Sequence, residues 1–285
     1  MRLCRFDNGK YGVVRADTIY DVSGIVERIL RRVPPGRGDP VIAHLDDIRA
    51  SIGDPETYQP YPVADVELLS PVAQPTKLVA APTNYRAHIA EMAADATVRN
   101  PHLPQEIGKA GLFLKANSAL VGPSTGVALR FPERRNDHEV ELALVVGRAG
   151  SDIAEENALA HVAAYTLGLD MTLRGPEDRS FRKSIDSYAV LGPWLVTADE
   201  IPDPDDVEIA LAVNGETRQR ARTSDLIYGI RKLIAFASSF YTLLPGDAIY
   251  TGSPEGVSPV HPGDVMVADC PAIGRMRVAV RLHGG

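Results

Sequence analysis

Three features that mark other protein classes are scarce in this 285-residue sequence: cysteines, long apolar runs and clustered basic residues. The two cysteines, Cys4 and Cys270, lie far apart and predict no disulfide framework, which favours a reducing cytoplasm. No apolar run approaches the roughly 18 residues that span a membrane, and the N-terminus lacks a signal-peptide pattern. The formal net charge is −7, so no nucleic acid partner is expected.

Motifs of several common enzyme classes are missing as well. There is no G-x-G-x-x-G or P-loop signature, no G-x-S-x-G motif and no zinc-type Cys/His spacing. The sequence is instead rich in turn formers, since its 24 glycines and 22 prolines are about 16% of the chain, against a usual value near 12%. With 45% hydrophobic residues, this composition predicts a globular α+β fold that is mostly β.

The first 65 residues predict a small N-terminal α/β domain, followed by a larger, mostly β domain over residues 66–285. Alternating apolar residues around Asp7-Asn8-Gly9 are typical of a β-hairpin, and two stretches with helical periodicity follow. A proline-rich stretch then predicts a linker between the two domains. In chain order, these elements are Arg2–Phe6 with Tyr11–Arg15, Ile25–Leu30, Ile42–Ile52 and Pro55–Pro62.

The rest of the chain alternates between apolar strands and Gly/Pro turns. Asn214-Gly215 between two alternating runs is a strong hairpin signal. Helices are predicted over Tyr85–Ala94, Glu155–Tyr165 and Asp225–Leu243. The predicted strands are Lys77–Ala81, Leu112–Lys115, Val127–Phe131, Glu139–Val146, Thr166–Asp170, Val207–Val213, Ala248–Thr251, Val265–Ala268 and Met276–Arg281.

Two glutamates begin the most apolar of these strands. Because side chains alternate along a strand, Glu139 and Glu141 point to the same side. Two carboxylates that enter a buried strand repel each other and lose hydration unless a cation compensates them. Oxygen ligands suit a hard cation such as Mg²⁺, Mn²⁺ or Ca²⁺. The alternative is a solvent-facing strand edge, and the pattern alone does not exclude it.

Two further groups are candidates for chemistry. His88 and Glu91 are three residues apart on a predicted helix, where they share a face, and a carboxylate that holds an imidazole makes a general base. Asp170 ends an apolar strand shortly before Arg174, so it is either a third metal ligand beside a carboxylate clamp or a strand-end ion pair. Lys183 lies in the charged loop that follows. A surface helix with a chance His–Glu pair remains the alternative to the first group.

Taken together and in order, eight segments resemble the fumarylacetoacetate hydrolase superfamily, in particular bacterial members with a small N-terminal extension. The likeness covers about residues 66–285. The segments are Asn84-Tyr85…His88…Glu91, 112-LFLK-115 with 118-SALVGP-123, 137-DHEVELA-143, Lys183-Ser184…Asp186, 191-LGPWLVT-197, Asn214-Gly215-Glu216, 244-LPGD-247 and 251-TGSPEGV-257.

This resemblance implies a rolled mixed β-sheet, a homodimer and one divalent metal ion, Mg²⁺ or Mn²⁺, per subunit. By the family motifs, the metal ligands are Glu139, Glu141 and Asp170. The remaining matched residues divide into a catalytic and a substrate-binding group. The catalytic group is His88, Glu91 and Lys183, and the substrate-binding group is Arg174, Tyr85 and Thr251.

The implied reaction is the metal-dependent hydrolysis of a C–C bond in a β-diketo or acylpyruvate-type 2-oxo acid. In this hypothesis, His88 held by Glu91 activates a water molecule, and an enolate leaves with stabilisation from the metal. Oxaloacetate-type decarboxylation and isomerisation or hydration of a 2-oxo-enoic diacid are alternatives that share the metal-enolate chemistry. A non-catalytic binding module and a purely structural dimer are alternatives from other classes, and metal content and turnover would distinguish them.

Overall fold

The computed structural model describes residues 1–94 and 106–284, and most of its regular structure is strand. The strands are β1 Arg2–Phe6, β2 Lys10–Arg15, β3 Thr18–Asp21, β4 Pro60–Pro62, β5 Leu68–Leu69, β6 Leu78–Ala80, β7 Phe113–Lys115, β8 Leu120–Val121, β9 Val127–Leu129, β10 Asn136–His138, β11 Val140–Val146, β12 Val162–Asp170, β13 Thr172–Leu173, β14 Ala189–Thr197, β15 Glu208–Val213, β16 Glu216–Arg222, β17 Ala248–Tyr250, β18 Ser258–Pro259, β19 Val265–Cys270 and β20 Gly274–Leu282. The α-helices are α1 Ser23–Leu30, α2 Pro40–Ala43, α3 Leu45–Ile52, α4 Arg86–Ala94, α5 Ile107–Ala110, α6 Arg179–Lys183 and α7 Ile230–Ser238.

The largest sheet is mixed and curls back on itself. Its central order is β14-β12-β11-β17-β6-β7, with β17 and β6 parallel and the other neighbours in this series antiparallel. The short β8 follows β7 in the chain and pairs in parallel with β14, at the other end of the series. Because this pairing brings the two ends together, the sheet forms a roll. The expected α+β fold, mostly β and built on a rolled mixed sheet, is confirmed.

Alanines, leucines and two aromatic residues, Phe113 and Tyr250, form one buried cluster in this roll. Ala143, Ala189, Ala248 and Tyr250 belong to this cluster, to which β6 and β7 also contribute. A larger core cluster packs on the outer side of the roll and beneath the five-stranded sheet β16-β15-β19-β20-β9. Burial of this apolar surface stabilises both layers. A polar group next to this buried cluster therefore lies in largely apolar surroundings.

The hairpin predicted at Asn214-Gly215 is confirmed. Val213 pairs with Glu216 across the turn, and both turn residues have positive φ, 51° and 86°. This is the backbone of a type I′ turn, which asparagine and glycine adopt most easily. The resulting β15–β16 ribbon lies next to β11, so its inward side chains can support that strand.

The N-terminal strands extend the same sheet. β1 pairs antiparallel with β14, and the order continues outward through β2, β3 and β4. The predicted linker at Pro55–Pro62 is wrong, because Pro60–Pro62 is strand β4 and pairs with β3. Helices α1 to α3 cover the outer strands with a hydrophobic cluster of their own. The division of the chain at residues 65 and 66 stays a prediction.

Two predicted helices are shorter than the pattern indicates. Over Glu155–Tyr165 only a 3₁₀-helix forms, and it ends at His161. Val162 begins β12 because the residues after it pair with β11 and β14, and this pairing overrides the local periodicity. The helix predicted over Asp225–Leu243 is reduced to α7, which begins after Gly229. In the part of the chain that is described, no helix has the length and apolarity to cross a membrane.

Candidate active site

Three carboxylates meet where β11 begins and β12 ends. Val140 pairs with Leu169 in the antiparallel register, and the backbone N–H of Asp170 donates to the carbonyl of Glu139 at 2.9 Å. This register places Asp170 beside Glu139, while strand alternation puts Glu141 on the same face as Glu139. Their carboxylate oxygens lie within 4.8 Å of one another. All three side chains are buried, so the predicted ligand group is assembled in one place.

Two of these carboxylates are paired with buried cations. The Nζ of Lys183 lies 2.7 Å from Glu139 Oε2 and 2.6 Å from Asp170 Oδ2. Arg174 donates from Nη2 to Glu139 Oε1 at 2.9 Å. Burial alone would raise the pKa of Glu139, but the charges of Lys183 and Arg174 hold this pKa well below its ordinary value. Glu139 is therefore an ionised carboxylate at neutral pH.

The third carboxylate has an oxygen without a partner. Glu141 Oε2 accepts a hydrogen bond from the backbone N–H of Gly252 at 2.6 Å. Glu141 Oε1 is buried and has no hydrogen-bond partner among the described residues. Burial and the nearby charge of Asp170 raise the pKa of Glu141 well above its ordinary value. Because an unpaired buried carboxylate is costly, an additional cation bound here would relieve that cost.

The donor set fits a hard divalent cation. It consists of carboxylate oxygens, which Mg²⁺ and Mn²⁺ prefer over softer metals. Gly252 is needed to hold Glu141 because its φ is +106°, and a Cβ at this position would lie 2.6 Å from the Cβ of Asn84. The free oxygen of Glu141 and the shared location of the three carboxylates support a metal centre built from Glu139, Glu141 and Asp170.

The predicted His–Glu pair forms on α4. His88 Nδ1 lies 3.2 Å from Glu91 Oε2, and Glu91 Oε1 accepts from the backbone N–H of Gly256 at 2.9 Å. Burial opposes the charge on Glu91, but its hydrogen bonds with His88 and Gly256 lower its pKa below the ordinary value. With Nδ1–H donated to Glu91, the Nε2 of His88 carries the lone pair. The imidazole of His88 also affects the three carboxylates: when it is protonated, its positive charge lowers the pKa of Glu139.

The three predicted substrate-binding residues differ in the hydrogen bonds that their polar groups already make within the protein. The hydroxyl of Tyr85 is buried without a partner among the described residues, and its pKa is raised by burial and by the charge of Glu141. Thr251 donates its hydroxyl to the carbonyl of Leu142 at 2.9 Å. Arg174 donates from Nε to Asp137 at 2.7 Å, besides its bond to Glu139. Their roles in substrate binding stay predictions.

Sequence reasoning assigned no role to Lys115, which also belongs to this site. Its side chain is buried, and its Nζ donates to Asp170 Oδ1 across the roll. Burial lowers the pKa of Lys115, against the opposing charge of Asp170. The available signal was a lysine at the end of the apolar strand β7. Alternation puts Lys115 on the same face as the buried Phe113, which indicates a lysine that faces the interior.

We expect Lys115→Met to lower the free energy of unfolding of the metal-free protein by about 3 kcal/mol, because loss of one buried partner leaves the other uncompensated. Asp170 would keep its ion pair with Lys183 but lose the one with Lys115. Denaturant unfolding in the presence of a chelator measures this change. Added Mn²⁺ is expected to stabilise the variant by more than it stabilises the wild type, since the cation would replace the missing charge.

Lys109→Met is the matched control, because Lys109 is exposed and the same substitution there removes no buried partner. Its unfolding free energy is expected to change by less than about 0.5 kcal/mol. If Lys115→Met behaves like this control, Lys115 does not compensate Asp170 in the metal-free protein.

Comparisons with known proteins identify relatives of the whole chain. Residues 77–281 match the family model described as fumarylacetoacetate (FAA) hydrolase C-terminal. The chain is 52% identical over 285 residues to a maleylpyruvate hydrolase of Aquipseudomonas alcaligenes, and the alignment covers 99% of each protein.

Two solved structures share the fold over the same length. One is a maleylpyruvate hydrolase from Sphingobium sp. SYK-6 in complex with manganese(II) and pyruvate, which is 36% identical with a TM-score of 0.83 and 99% coverage of both chains. The other is a 5-carboxymethyl-2-hydroxymuconate delta-isomerase from Mycobacterium smegmatis. It is 30% identical with a TM-score of 0.72, and the match covers 99% of this chain and 100% of the isomerase.

Proposed function

The chain belongs to the fumarylacetoacetate hydrolase family, and from this premise we propose that it is a divalent-metal-dependent hydrolase that cleaves the C–C bond of an acylpyruvate. The observation that carries the proposal is the buried group of Glu139, Glu141 and Asp170, in which one Glu141 oxygen has no partner among the described residues. His88, which pairs with Glu91, acts electrostatically on Glu139. Maleylpyruvate is the first substrate to test, because relatives at 52% and 36% identity are maleylpyruvate hydrolases.

The metal ion would be Mg²⁺ or Mn²⁺, held by Glu139, Glu141 and Asp170. When bound, such an ion supplies Lewis-acid polarisation of the 2-oxo acid, which lowers the energy of an enolate leaving group. The binding of manganese by a relative of the same fold supports Mn²⁺ as the ion for first tests. Lys183 lies against two of the three ligands, so its charge is placed where negative charge develops during the reaction.

The reaction balances as a hydrolysis. An acylpyruvate, R–CO–CH₂–CO–COO⁻, and water give R–COO⁻, a proton and pyruvate. The bond between the acyl carbonyl carbon and the methylene carbon breaks. The water oxygen joins the acyl carbon, and a proton is added to the methylene carbon to make the methyl group of pyruvate. His88 Nε2 takes the proton from water, while Glu91 keeps the imidazole in the tautomer that can accept it.

The substrate-binding roles follow from the same arrangement. The hydroxyl of Tyr85, which bonds to no other described residue, offers a hydrogen bond to a substrate oxygen. Arg174, although bound to Asp137 and Glu139, adds positive charge beside the site and favours an anionic 2-oxo acid. Thr251 directly follows β17 and is the third residue assigned to substrate binding. These assignments are part of the proposal.

The decisive experiment starts from protein stripped with a chelator and reconstituted with Mg²⁺ or Mn²⁺. Four substrates are offered separately, and their products are followed by NMR: maleylpyruvate, an acylpyruvate with an uncharged acyl group, oxaloacetate and a 2-oxo-enoic diacid. We expect metal-dependent release of pyruvate and a free carboxylic acid. Carbon dioxide from oxaloacetate, or a shifted double bond without C–C cleavage, would replace the hydrolase assignment with a decarboxylase or an isomerase.

We also propose that the protein is a homodimer that works in the cytoplasm. The family resemblance supports the dimer, and the two distant cysteines, both buried as free thiols, suit a reducing compartment. Size-exclusion chromatography with light scattering should give twice the 30.7 kDa of one chain.

A further inference from the structure

Helix α6 contains two cationic residues near the site, Lys183 and Arg179. It contains Lys183, which contacts Glu139 and Asp170, and begins at Arg179, four residues earlier. Residues four apart lie on the same face of a helix, about one turn or 5.4 Å from each other along the axis. Arg179 is therefore placed one turn further from the three carboxylates than Lys183 is.

Both cations pack on one aromatic ring. The Nζ of Lys183 lies 5.3 Å from the centroid of Phe113, and the guanidinium carbon of Arg179 lies 5.5 Å from the same centroid. Phe113 is a buried residue of β7, two positions before Lys115 and on the same face. Since Lys115 bonds to Asp170, Phe113 is part of the wall of the site, and Arg179 lies against that wall.

Arg179 differs from the other cations around the site because it has no carboxylate partner among the described residues. Lys115, Lys183 and Arg174 each form ion pairs with buried carboxylates. Within residues 1–94 and 106–284, Arg179 forms no ion pair or hydrogen bond, and its ring contact is with Phe113.

The surroundings of Arg179 also favour an anion that comes from outside the protein. The adjacent carboxylate of Asp178 caps α6 by accepting from Ser180. Arg179 is partly buried, which lowers its pKa, and the charges of Glu139 and Asp170 act in the opposite direction. A desolvated guanidinium without a carboxylate partner is costly, so the arrangement favours an incoming anion.

We propose that Arg179 binds the distal carboxylate of a dicarboxylic acylpyruvate and so selects diacids over acylpyruvates with an uncharged acyl group. This inference rests on the proposed function, in which the 2-oxo acid end of the substrate lies at the three carboxylates and Lys183. One helical turn separates Lys183 from Arg179, and a short acyl chain that ends in a carboxylate matches this spacing. The planar fork of a guanidinium suits a bidentate pair with a carboxylate.

The test compares Arg179→Gln with the wild type on two substrates. Maleylpyruvate carries the distal carboxylate, and butanoylpyruvate has an acyl chain of the same carbon number without it. For the variant, we expect kcat/KM on maleylpyruvate to fall about 30-fold, mainly through KM, because hydrogen bonds to charged groups are among the strong ones. On butanoylpyruvate, kcat/KM is expected to stay within about threefold.

Three further measurements separate recognition from damage to the fold. Arg179→Lys keeps the charge but loses the fork, and we expect an intermediate loss on maleylpyruvate alone. Arg275→Gln removes an exposed arginine paired with Asp269 and should match the wild type on both substrates. The affinity of Arg179→Gln for Mn²⁺, measured by calorimetry, should equal that of the wild type.

Equal losses on both substrates, or no loss on maleylpyruvate, would overturn the assignment of Arg179 while wild-type hydrolysis upholds the proposed function. If the wild type with Mn²⁺ releases pyruvate from neither substrate, the proposed function is wrong and the role of Arg179 falls with it.

Discussion

Glutamine in place of Glu141 is expected to abolish Mn²⁺ binding and to reduce hydrolysis at least about 1,000-fold, the equivalent of roughly 4 kcal/mol. The substitution keeps the volume of the side chain and an oxygen that can accept from Gly252, as Glu141 does at 2.6 Å. It removes the charge of the carboxylate whose other oxygen has no hydrogen-bond partner in the described part of the chain. Isothermal titration with Mn²⁺ and turnover of maleylpyruvate measure the two losses.

The metal-free variant is expected to be as stable as the wild type or more stable. In the absence of metal, Glu141 is a buried carboxylate beside two others, and their mutual repulsion opposes folding. Denaturant unfolding in chelator therefore separates loss of the metal site from loss of the fold. A variant that loses metal binding and activity while it keeps its stability identifies Glu141 as a ligand.

The matched control is Glu216→Gln, because Glu216 is an exposed residue of β16 that pairs with Arg218 on the surface. It should leave Mn²⁺ affinity, turnover and stability unchanged. Retention of Mn²⁺ affinity within tenfold in Glu141→Gln would show that the three carboxylates are not the metal centre.

The local part of this centre could be predicted from the sequence, and its assembly could not. Strand alternation places Glu139 and Glu141 on one face wherever the strand lies in the fold. The position of Asp170 depends on the register between β11 and β12, in which Leu169 pairs with Val140. Periodicity carries no information on that register, so Asp170 was assigned through the family resemblance.

Strand β14 shows why other elements were missed. It contains Gly192-Pro193, a pair that normally marks a turn, and proline is rarely found in a central strand. The structure accommodates Pro193 where the register with β12 is irregular, between Gly192 and Val196. Trp194 follows and donates to the carbonyl of Ile273, which anchors the strand. Tertiary pairing with β1 and β12 determines this element.

The two cations that sequence reasoning did not assign, Lys115 and Arg179, illustrate a further limit. Charged residues are usually solvated, and a charged stretch such as residues 176–187 predicts a surface loop. The structure instead turns Lys183 and Arg179 of α6 toward Phe113. Which charges in such a stretch become buried depends on the anions that other strands bring together, here Glu139 and Asp170.

His88→Ala is expected to reduce kcat about 100- to 10,000-fold, the range for loss of a general base, while Mn²⁺ affinity stays within about threefold. His88 is not one of the three clustered carboxylates, so the metal site keeps its ligands. Alanine is a good helix former, so α4 should persist. Turnover of maleylpyruvate and calorimetric titration with Mn²⁺ measure the two quantities.

Two further variants locate the effect in the His–Glu pair. Glu91→Gln should reduce kcat by a smaller factor, about 10- to 100-fold, because the amide oxygen can still accept from Nδ1–H but no longer stabilises the imidazolium. His261→Ala removes an exposed histidine and should leave turnover unchanged. If His88→Ala retains activity within a few-fold of the wild type, water is activated by another group. The unpartnered hydroxyl of Tyr85, buried close to Glu141, would then be the next residue to substitute, since it already lies within the same site.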